Sequence, residues 1–334
     1  VFGTKFVKSE IRLGVLPSLI SDLIDARNVT KELIRTTNNI RYIKREKILK
    51  ITTNAVTGFL GIPQDEGLLS LIEAFMSITY IGRNLTQTAN EFLVDNYQAK
   101  ILYNDTDSIA INLPEEMKIS ELYKVGEKIS KEITELFPRP INLKFDGVTK
   151  FVLLKAKKYA ILKILPDGTY GEAVQKGVLS IRSDTNQFSA NLFTKILDNI
   201  LYSRPVLDNI LMILDEIQRL INREVPITEL SQVNKINTEY GPNSTYFLKK
   251  FLDRMATLGI EISKGSEVNF IVLEGQEKAK GDRMMLVSLL KSSDKYDINY
   301  YIDSLVNPLD QLLIIGYKDK LVPTITRKAP KKRN

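Results

Sequence analysis

One stretch, ILYNDTDSIAIN at residues 101–112, constrains the fold more than any other, because two apolar, β-prone runs flank a short polar centre. This pattern is typical of two antiparallel strands joined by a tight turn. Asn, Asp and Thr are ordinary turn residues, so turn chemistry alone could explain the polar centre. The same centre places Asp105 and Asp107 two positions apart. The stretch therefore predicts a β-hairpin with two carboxylates at its turn.

Two carboxylates at this spacing should repel each other. In an extended chain, side chains at i and i+2 point to the same face. Two unit charges roughly 5 Å apart repel by about 1 kcal/mol in water and several-fold more in a partly buried site. A divalent cation would offset the repulsion, and hard oxygen ligands suit Mg²⁺. The residues alone leave two interpretations open, which are a plain polar turn and a metal site on Asp105 and Asp107.

The composition narrows the chemistry that the chain can perform. Among its 334 residues there is neither Cys nor His, which excludes disulfides, zinc–thiolate sites, His-ligated metals and Ser-His catalysis. Catalysis must then rest on carboxylates, Lys, Arg, Tyr or hydroxyl groups. A net charge of +7 permits polyanion binding without establishing it. No apolar run is long enough for a membrane span, so no membrane association is expected.

Apolar spacing predicts helices in the first third of the chain. A helical stripe covers 9–34, and a second helical stretch, 40–60, follows the polar sequence RTTNN. Two helices joined by such a short loop should be antiparallel neighbours. A further helical pattern covers 67–97 with a break near Gly82, and 117–136 reads as an amphipathic helix.

The rest of the chain changes from strands to helices. Strands are predicted in 141–164 and 173–181, with a turn at LPDGTYGE between them. After about residue 187 the pattern is mostly helical, with 189–222 as the longest run. A mixed segment ends in SEVNFIVLEG, and INYYIDSLVNPLDQLL is the final helix. These patterns indicate the α+β class, with helices on one face of a small antiparallel sheet.

Cations are paired on the first two predicted helices. Arg27 and Lys31 are four residues apart, as are Lys50 and Asn54, so each pair shares a helical face. On antiparallel helices these groups could clamp a triphosphate, with Arg giving bidentate contacts and Lys a point charge. Taken singly, each cation is more simply a solvated surface residue.

Seven segments, in order along the chain, carry a resemblance to one protein family. They are FVKSEIRLGVLPSLISDLIDAR (6–27), KITTNAVTGFLG (50–61), ITYIGRNL (78–85), YNDTDS (103–108), KKYA (157–160), KGVLSIRSD (176–184) and INYYID (298–303). They resemble the first finger helix, motif B, the segment before motif C, motif C, the K-K-x-Y motif, the end of the palm and the late thumb of family B DNA polymerases. The chain is therefore similar to the C-terminal part of such a polymerase.

This resemblance implies an architecture. It implies a palm with a small antiparallel sheet, antiparallel two-helix fingers and a mainly helical thumb. In these terms residues 1–61 are the fingers hairpin, 62–186 the palm with motif C, and 187–334 the thumb with a basic C-terminal tail. The implied activity is template-directed DNA synthesis, in which dNTPs are added to a primer 3′-hydroxyl by two-metal nucleotidyl transfer.

The resemblance also implies roles for individual residues. Asp107 resembles the principal metal ligand and Asp105 its neighbour beside the primer terminus, with two Mg²⁺ ions as cofactors and Mn²⁺ as an alternative metal. Lys50 would matter most in the transition state, and so counts with the catalytic residues. The residues expected to hold the phosphates of the incoming nucleotide are Arg27, Lys31, Lys50 and Asn54. The residues expected to contact the DNA backbone are Lys157, Lys158, Tyr159, Lys176 and Arg182.

Several positions depart from the family pattern. Motif B has Ala55 in place of Ser and Thr57 in place of Tyr, and Ala156 replaces the first Lys of K-K-x-Y. Asn104 replaces the Gly of motif C, which is a tolerable change because Asn also accepts positive φ. Motif A, which supplies the other metal-binding Asp, should lie upstream of Phe6, and nothing at the start of the chain resembles it. The chain is thus expected to need an N-terminal part.

The expected partners are primer–template DNA, dNTPs, the N-terminal part of the polymerase and a processivity factor. The expected location is intracellular, in a nucleus or at a site of viral replication. The main alternative is a polymerase-derived subunit that binds DNA without catalysis. A protein-primed polymerase is disfavoured because residues 62–100 leave no room for the insertion of that branch. Reverse transcriptases are disfavoured because their paired carboxylates are adjacent.

Overall fold

The computed structural model describes residues 3–178, 185–241 and 244–317. The chain forms two compact units, the first comprising Val1–Glu116 with Ile129–Leu143 and the second Met117–Lys128 with Lys144–Asn334. Two parts of the predicted DNA surface, Arg182 and the basic C-terminal tail, lie outside the described residues. The predicted functional boundaries at residues 61 and 186 stay a prediction.

The first unit begins with two helices, α1 (Val15–Thr37) and α2 (Ile40–Leu60). Asn38 ends α1 in the left-handed conformation, with φ 46°, and its N–H donates to the Ile34 carbonyl at 2.9 Å. Asn39 begins α2, and its side chain accepts a hydrogen bond from the Arg41 N–H at 2.9 Å. Left-handed C-terminal residues and Asn N-caps are favourable because they satisfy backbone groups at helix ends. The predicted antiparallel helix pair is confirmed.

A third helix, α3 (Ile72–Tyr97), leads to the β-hairpin. It continues through Gly82, so the predicted break there is wrong. An isolated glycine inside a helix costs about 1 kcal/mol relative to alanine, which a helix of 26 residues with a buried face can absorb. The helix ends at Gln98, which is left-handed with φ 49°.

The predicted hairpin is confirmed. Strand β1 (Lys100–Asp105) pairs antiparallel with β2 (Ser108–Asn112), and Asp105 lies opposite Ser108 in the register. Helix α4 (Ile119–Glu135) follows and contributes residues to both units. In the first unit, the Glu132 carboxylate accepts a hydrogen bond from the Tyr97 hydroxyl at 2.6 Å. Burial, together with this acidic partner, raises the pKa of Tyr97 to about 12.

The second unit contains an antiparallel sheet of three strands, β3 (Val148–Lys155), β4 (Lys158–Ile164) and β5 (Tyr170–Lys176), in that order. The central strand buries Ala160 and Leu162 completely. Two residues, Ala156 and Lys157, join β3 to β4, and Lys157 has φ 63°. This sheet is separate from the β1–β2 hairpin, so the predicted strands form two sheets instead of one.

Helices dominate the remainder. The predicted run 189–222 is two helices, α5 (Gln187–Leu201) and α6 (Val206–Ile221), which Pro205 separates. Proline cannot donate a backbone hydrogen bond and so does not continue a helix. The remaining helices and strands, in chain order, are α7 (Ile227–Leu230), β6 (Gln232–Lys235), α8 (Phe247–Thr257), β7 (Glu267–Val272), α9 (Lys280–Arg283), β8 (Met284–Leu286) and α10 (Ile298–Gly316).

Strands β6, β7 and β8 form a further antiparallel sheet, and none of these three strands was predicted individually from the sequence. The core of the second unit is one continuous apolar cluster in which Ile196, Leu197, Ile213 and Leu313 are fully buried. The predicted α+β class with small antiparallel sheets is confirmed. Among the described helices, none is both long and apolar enough to cross a bilayer.

Candidate functional site

The two predicted metal ligands lie at the turn of the β1–β2 hairpin. Asp105 is the last residue of β1, and Asp107 lies in the turn. The Asp107 N–H donates to the Asp105 carbonyl at 2.8 Å, and the Thr106 hydroxyl donates to Asp105 Oδ1 at 3.4 Å. The Ser108 hydroxyl approaches the same carbonyl at 3.4 Å. The three residues after Asp105 thus contact its backbone carbonyl or its carboxylate, and these contacts stabilise the turn.

The pair does not have the geometry of an extended strand. Thr106 has φ 65°, and so the chain reverses between the two carboxylates. Asp105 is half-buried against the hairpin, whereas Asp107 is exposed. Left-handed backbone is costly for a β-branched residue, and such outliers cluster at functional sites. Within the hairpin it is Thr106, and not Asn104, that takes positive φ.

The hairpin offers part of a divalent-cation site. Mg²⁺ usually binds one or two protein carboxylates and completes its six oxygen ligands with water and substrate phosphates. Asp105 and Asp107 supply two such carboxylates, so this donor set fits the ion. Within the ranges that the structure describes, no group of three or more acidic residues could hold a metal. The hairpin therefore fits Mg²⁺ only together with ligands from elsewhere.

The helix pair α1–α2 carries the predicted phosphate-binding residues. Arg27 is half-buried and forms an ion pair with Glu46 on the opposite helix, in which Nε and Nη2 both lie 2.7 Å from Oε1. Lys31 is half-buried one turn further along α1, and Lys50 and Asn54 are exposed on α2. The structure thus confirms that all four lie on one helical hairpin. It also adds Glu46, which the sequence interpretation missed although it lies four residues before Lys50.

In the second unit, the predicted DNA contacts gather around the β3–β4 turn. Lys157 is exposed at the turn and Lys158 is half-buried beside it. Tyr159 pairs with Lys176 across β4 and β5, and Lys176 Nζ lies 5.6 Å from the centre of the Tyr159 ring. The Tyr159 ring is only 5% exposed and stacks on Phe151. The three lysines therefore lie at the same end of the sheet, where they form a basic cluster, and Tyr159 packs beside Lys176.

A glycine that was not singled out from the sequence lies beside the basic cluster, where β5 ends against the β3–β4 turn. Gly177, directly after β5, has φ 60°, and a Cβ atom there would lie 2.0 Å from the Lys157 carbonyl oxygen. No side chain fits at that distance, so only glycine lets β5 end against the β3–β4 turn. The signal available in the sequence was a glycine inside the predicted strand 173–181, because such a glycine often marks a close approach of the backbone.

A cavity of about 810 Å³ lies elsewhere in the second unit, beside α8. Arg254 lines it and donates to the carbonyls of Asp282 and Met284, at 2.5 and 3.1 Å. Lys250 pairs with the Asp282 carboxylate at 3.4 Å. These cations are thus engaged within the protein, and none of the predicted site residues lines the cavity.

Comparison with known proteins gives one consistent result. The family model described as "DNA polymerase family B" matches residues 2–315. The DNA polymerase delta catalytic subunit of Candida albicans is 27% identical over 329 residues, which cover 93% of this chain and 31% of that protein. DNA polymerase 120R of Invertebrate iridescent virus 3 is 24% identical, with 91% of this chain and 33% of the viral protein covered. The chain spans about a third of the length of these relatives.

A solved structure shows the same fold. The family B DNA polymerase from the hyperthermophilic archaeon Pyrobaculum calidifontis superimposes with a TM-score of 0.57 at 19% identity, over 93% of this chain and 39% of the archaeal chain. The order of the seven segments, the geometry of the hairpin and the family match over most of the chain lead to the same conclusion. This protein belongs to DNA polymerase family B.

Proposed function

We propose that this chain is the C-terminal catalytic part of a DNA-directed DNA polymerase, which adds dNTPs to a primer 3′-hydroxyl. The observation that carries the proposal is the hairpin turn, which exposes Asp107 and fixes Asp105 beside it. Family membership supports the general activity. The proposed division is fingers at 1–61, palm at 62–186 and thumb at 187–334.

In this proposal Asp105 and Asp107 hold two divalent ions together with the triphosphate of the incoming nucleotide. Mg²⁺, or Mn²⁺ in its place, would make the primer hydroxyl more acidic and stabilise charge on the leaving pyrophosphate. The hydrogen bonds of the turn hold Asp105 in place, and its proposed role is to bind metal beside the primer terminus. A further carboxylate is needed, and we assign it to the N-terminal part of the polymerase.

Phosphate recognition falls to the helical hairpin. Lys50 is exposed on α2 and would stabilise negative charge that grows on the phosphates during transfer. Arg27 and Lys31, from α1, would orient the same triphosphate, and Asn54 would donate a hydrogen bond to it. The helices thereby supply positioning and charge, which are the main contributions of a protein to phosphoryl transfer.

Duplex binding falls to the basic cluster of Lys157, Lys158 and Lys176. Lysines near a strand end can neutralise backbone phosphates without reading bases, and a polymerase must bind any sequence. Arg182 and the basic tail are proposed to extend this surface. The proposed partners are primer–template DNA, dNTPs, the N-terminal part and a processivity factor, and the proposed setting is a nucleus or a site of viral replication.

The test is capture of a nucleotide on DNA. We would measure how fast the chain dissociates from a primer–template that ends in a dideoxynucleotide, with and without the next correct dNTP and Mg²⁺. The dNTP should slow dissociation, and Asp107→Asn should abolish that effect. Asp95→Asn, which removes an exposed carboxylate from α3 in the same unit, is the matched control and should behave as wild type. Dissociation that is indifferent to dNTP would favour a non-catalytic DNA-binding subunit.

A further inference from the structure

The Arg27 guanidinium is already occupied by an anion in this structure. Its Nε and Nη2 atoms both lie 2.7 Å from Glu46 Oε1. These two nitrogens form one of the edges with which a guanidinium grips a carboxylate or phosphate. A phosphate that uses this edge must first replace Glu46.

Glu46 lies among the groups proposed to bind the triphosphate. Glu46, Lys50 and Asn54 follow one another at four-residue spacing, so they share a face of α2. Arg27, its partner, is on α1. A negative charge at this position opposes the binding of a triphosphate, which carries several negative charges of its own.

A second ion pair in the α1–α2 helix pair is much more exposed to solvent than the Arg27–Glu46 pair. Arg35 and Glu32 are three residues apart on α1, at 2.6 Å, and their side chains are 74% and 66% exposed. Such solvated pairs are strongly screened and contribute little. The Arg27 and Glu46 side chains are only 28% and 21% exposed and join two helices. Their charges are therefore screened less by water.

We propose that Glu46 is a positioning residue that sets the affinity for the incoming nucleotide, by competing with its triphosphate for Arg27. This inference rests on the proposed role of the hairpin in nucleotide binding. Without nucleotide, Glu46 neutralises Arg27 and holds it between the helices. On binding, the guanidinium passes from the carboxylate to a phosphate. If Glu46 instead only braced the hairpin, its removal would weaken binding or leave it unchanged.

The experiment measures binding of a fluorescent dATP analogue, with Mg²⁺, to the 334-residue chain. Glu46→Gln keeps the size of the side chain and can still accept a hydrogen bond, and it should bind about three- to tenfold more tightly. Glu46→Asp keeps the charge and should stay within about twofold of wild type. Glu32→Gln removes the solvated carboxylate and is the matched control, with no expected change.

Two additional readouts separate competition from a structural effect. The gain should require phosphates, so deoxyadenosine should bind Glu46→Gln and wild type equally. The gain should also require the guanidinium, so Glu46→Gln should give a much smaller increase in an Arg27→Gln background. Circular dichroism checks the fold, and if Glu46→Gln loses helix, Glu46→Ala is measured with the same expected sign.

The outcomes distinguish the two proposals. Wild type that binds dATP while Glu46→Gln binds equally or more weakly would overturn the role of Glu46 and leave the nucleotide site intact. A folded wild type and folded variants that all fail to bind dATP would overturn both proposals, because there would be no triphosphate site for Glu46 to regulate.

Discussion

The helical hairpin of the first unit and the helices of the second unit bury very different amounts of apolar surface. Among their described side chains, α1 buries only Thr30 and α2 only Leu60. By contrast, α5 alone buries eight side chains, and the seven apolar ones belong to the continuous apolar core of the second unit. The stability of the α1–α2 helix pair therefore depends on the Asn residues between the helices and on the Arg27–Glu46 ion pair. The stability of the second unit depends on apolar packing.

The proposed nucleotide-binding residues therefore lie on helices that bury little apolar surface, and the buried core lies in the second unit. Elements with few buried contacts open at low free energy, and binding elements are often of this kind. The hairpin carries the proposed nucleotide-binding cations on such an element. The basic cluster proposed to bind DNA lies at the end of a packed sheet. The α1–α2 helix pair is therefore expected to change more in its internal geometry on ligand binding than the sheet that carries the basic cluster.

The largest expected effect is on the core of the second unit. Leu197→Ala removes a fully buried side chain and should lower the free energy of unfolding by about 2–5 kcal/mol. Ile48→Ala on α2, at a position that is 62% exposed, should change it by less than about 0.5 kcal/mol. Urea unfolding followed by circular dichroism measures both. Equal losses would show that the hairpin is packed as tightly as the core.

The next effect concerns Gly177. Gly177→Ala adds a methyl group against the Lys157 carbonyl at a left-handed position, and should cost about 2–4 kcal/mol. Because it displaces Lys157 and Lys176, it should also weaken duplex binding. Gly168→Ala is the matched control, since Gly168 also has positive φ but no atom near the added methyl. It should cost only about 1 kcal/mol and leave DNA binding unchanged.

A smaller effect is expected at the loop between α1 and α2. Asn39→Ala removes the side chain that accepts from the Arg41 N–H, and should destabilise α2 by about 1 kcal/mol. Hydrogen exchange of the α2 amides would detect the loss. Asn28→Ala, at an exposed position on α1, provides the comparison and should not speed exchange, because alanine is the better helix former. Faster exchange in both would contradict a local effect of the cap.

The smallest expected effect distinguishes the two sets of cations. The logarithm of duplex affinity should fall linearly with the logarithm of salt concentration, and Lys176→Ala should reduce that slope by about 0.9. Lys50→Ala should leave the slope for duplex DNA unchanged and weaken dATP binding instead. Lys195→Ala, which removes an exposed lysine of α5, controls for net charge. A wild-type affinity that does not respond to salt would contradict the proposed DNA surface.

Local sequence signals explain which parts of the fold could be predicted. The hairpin at 101–112 depends on turn chemistry between near neighbours and is confirmed. The predicted polar loop RTTNN is shorter in the structure, because its first three residues belong to α1 and only Asn38 and Asn39 lie between the helices. The break at Gly82 is wrong because helix packing overrides one weak residue. The division of 189–222 at Pro205 was readable, since proline is a strong helix breaker.

The parts of the candidate site that could not be predicted depend on contacts distant in sequence. Arg27 donates a hydrogen bond to Glu46, which lies 19 residues further along the chain. Gly177, after the end of β5, lies against the Lys157 carbonyl in the β3–β4 turn. Neither contact leaves a periodic pattern in the sequence. The positive φ of Thr106 was also missed, because the geometry of an extended strand was applied to a residue that lies in the turn.

We propose above all that this chain carries a metal-binding hairpin of a polymerase together with only part of the carboxylate set. The most direct test of this proposal is primer extension by the 334-residue chain alone, with Mg²⁺ and all four dNTPs, alongside Asp107→Asn. We predict that the chain binds the primer–template and adds no nucleotide. Extension that Asp107→Asn abolishes would contradict it, because the missing carboxylate would then lie within these residues.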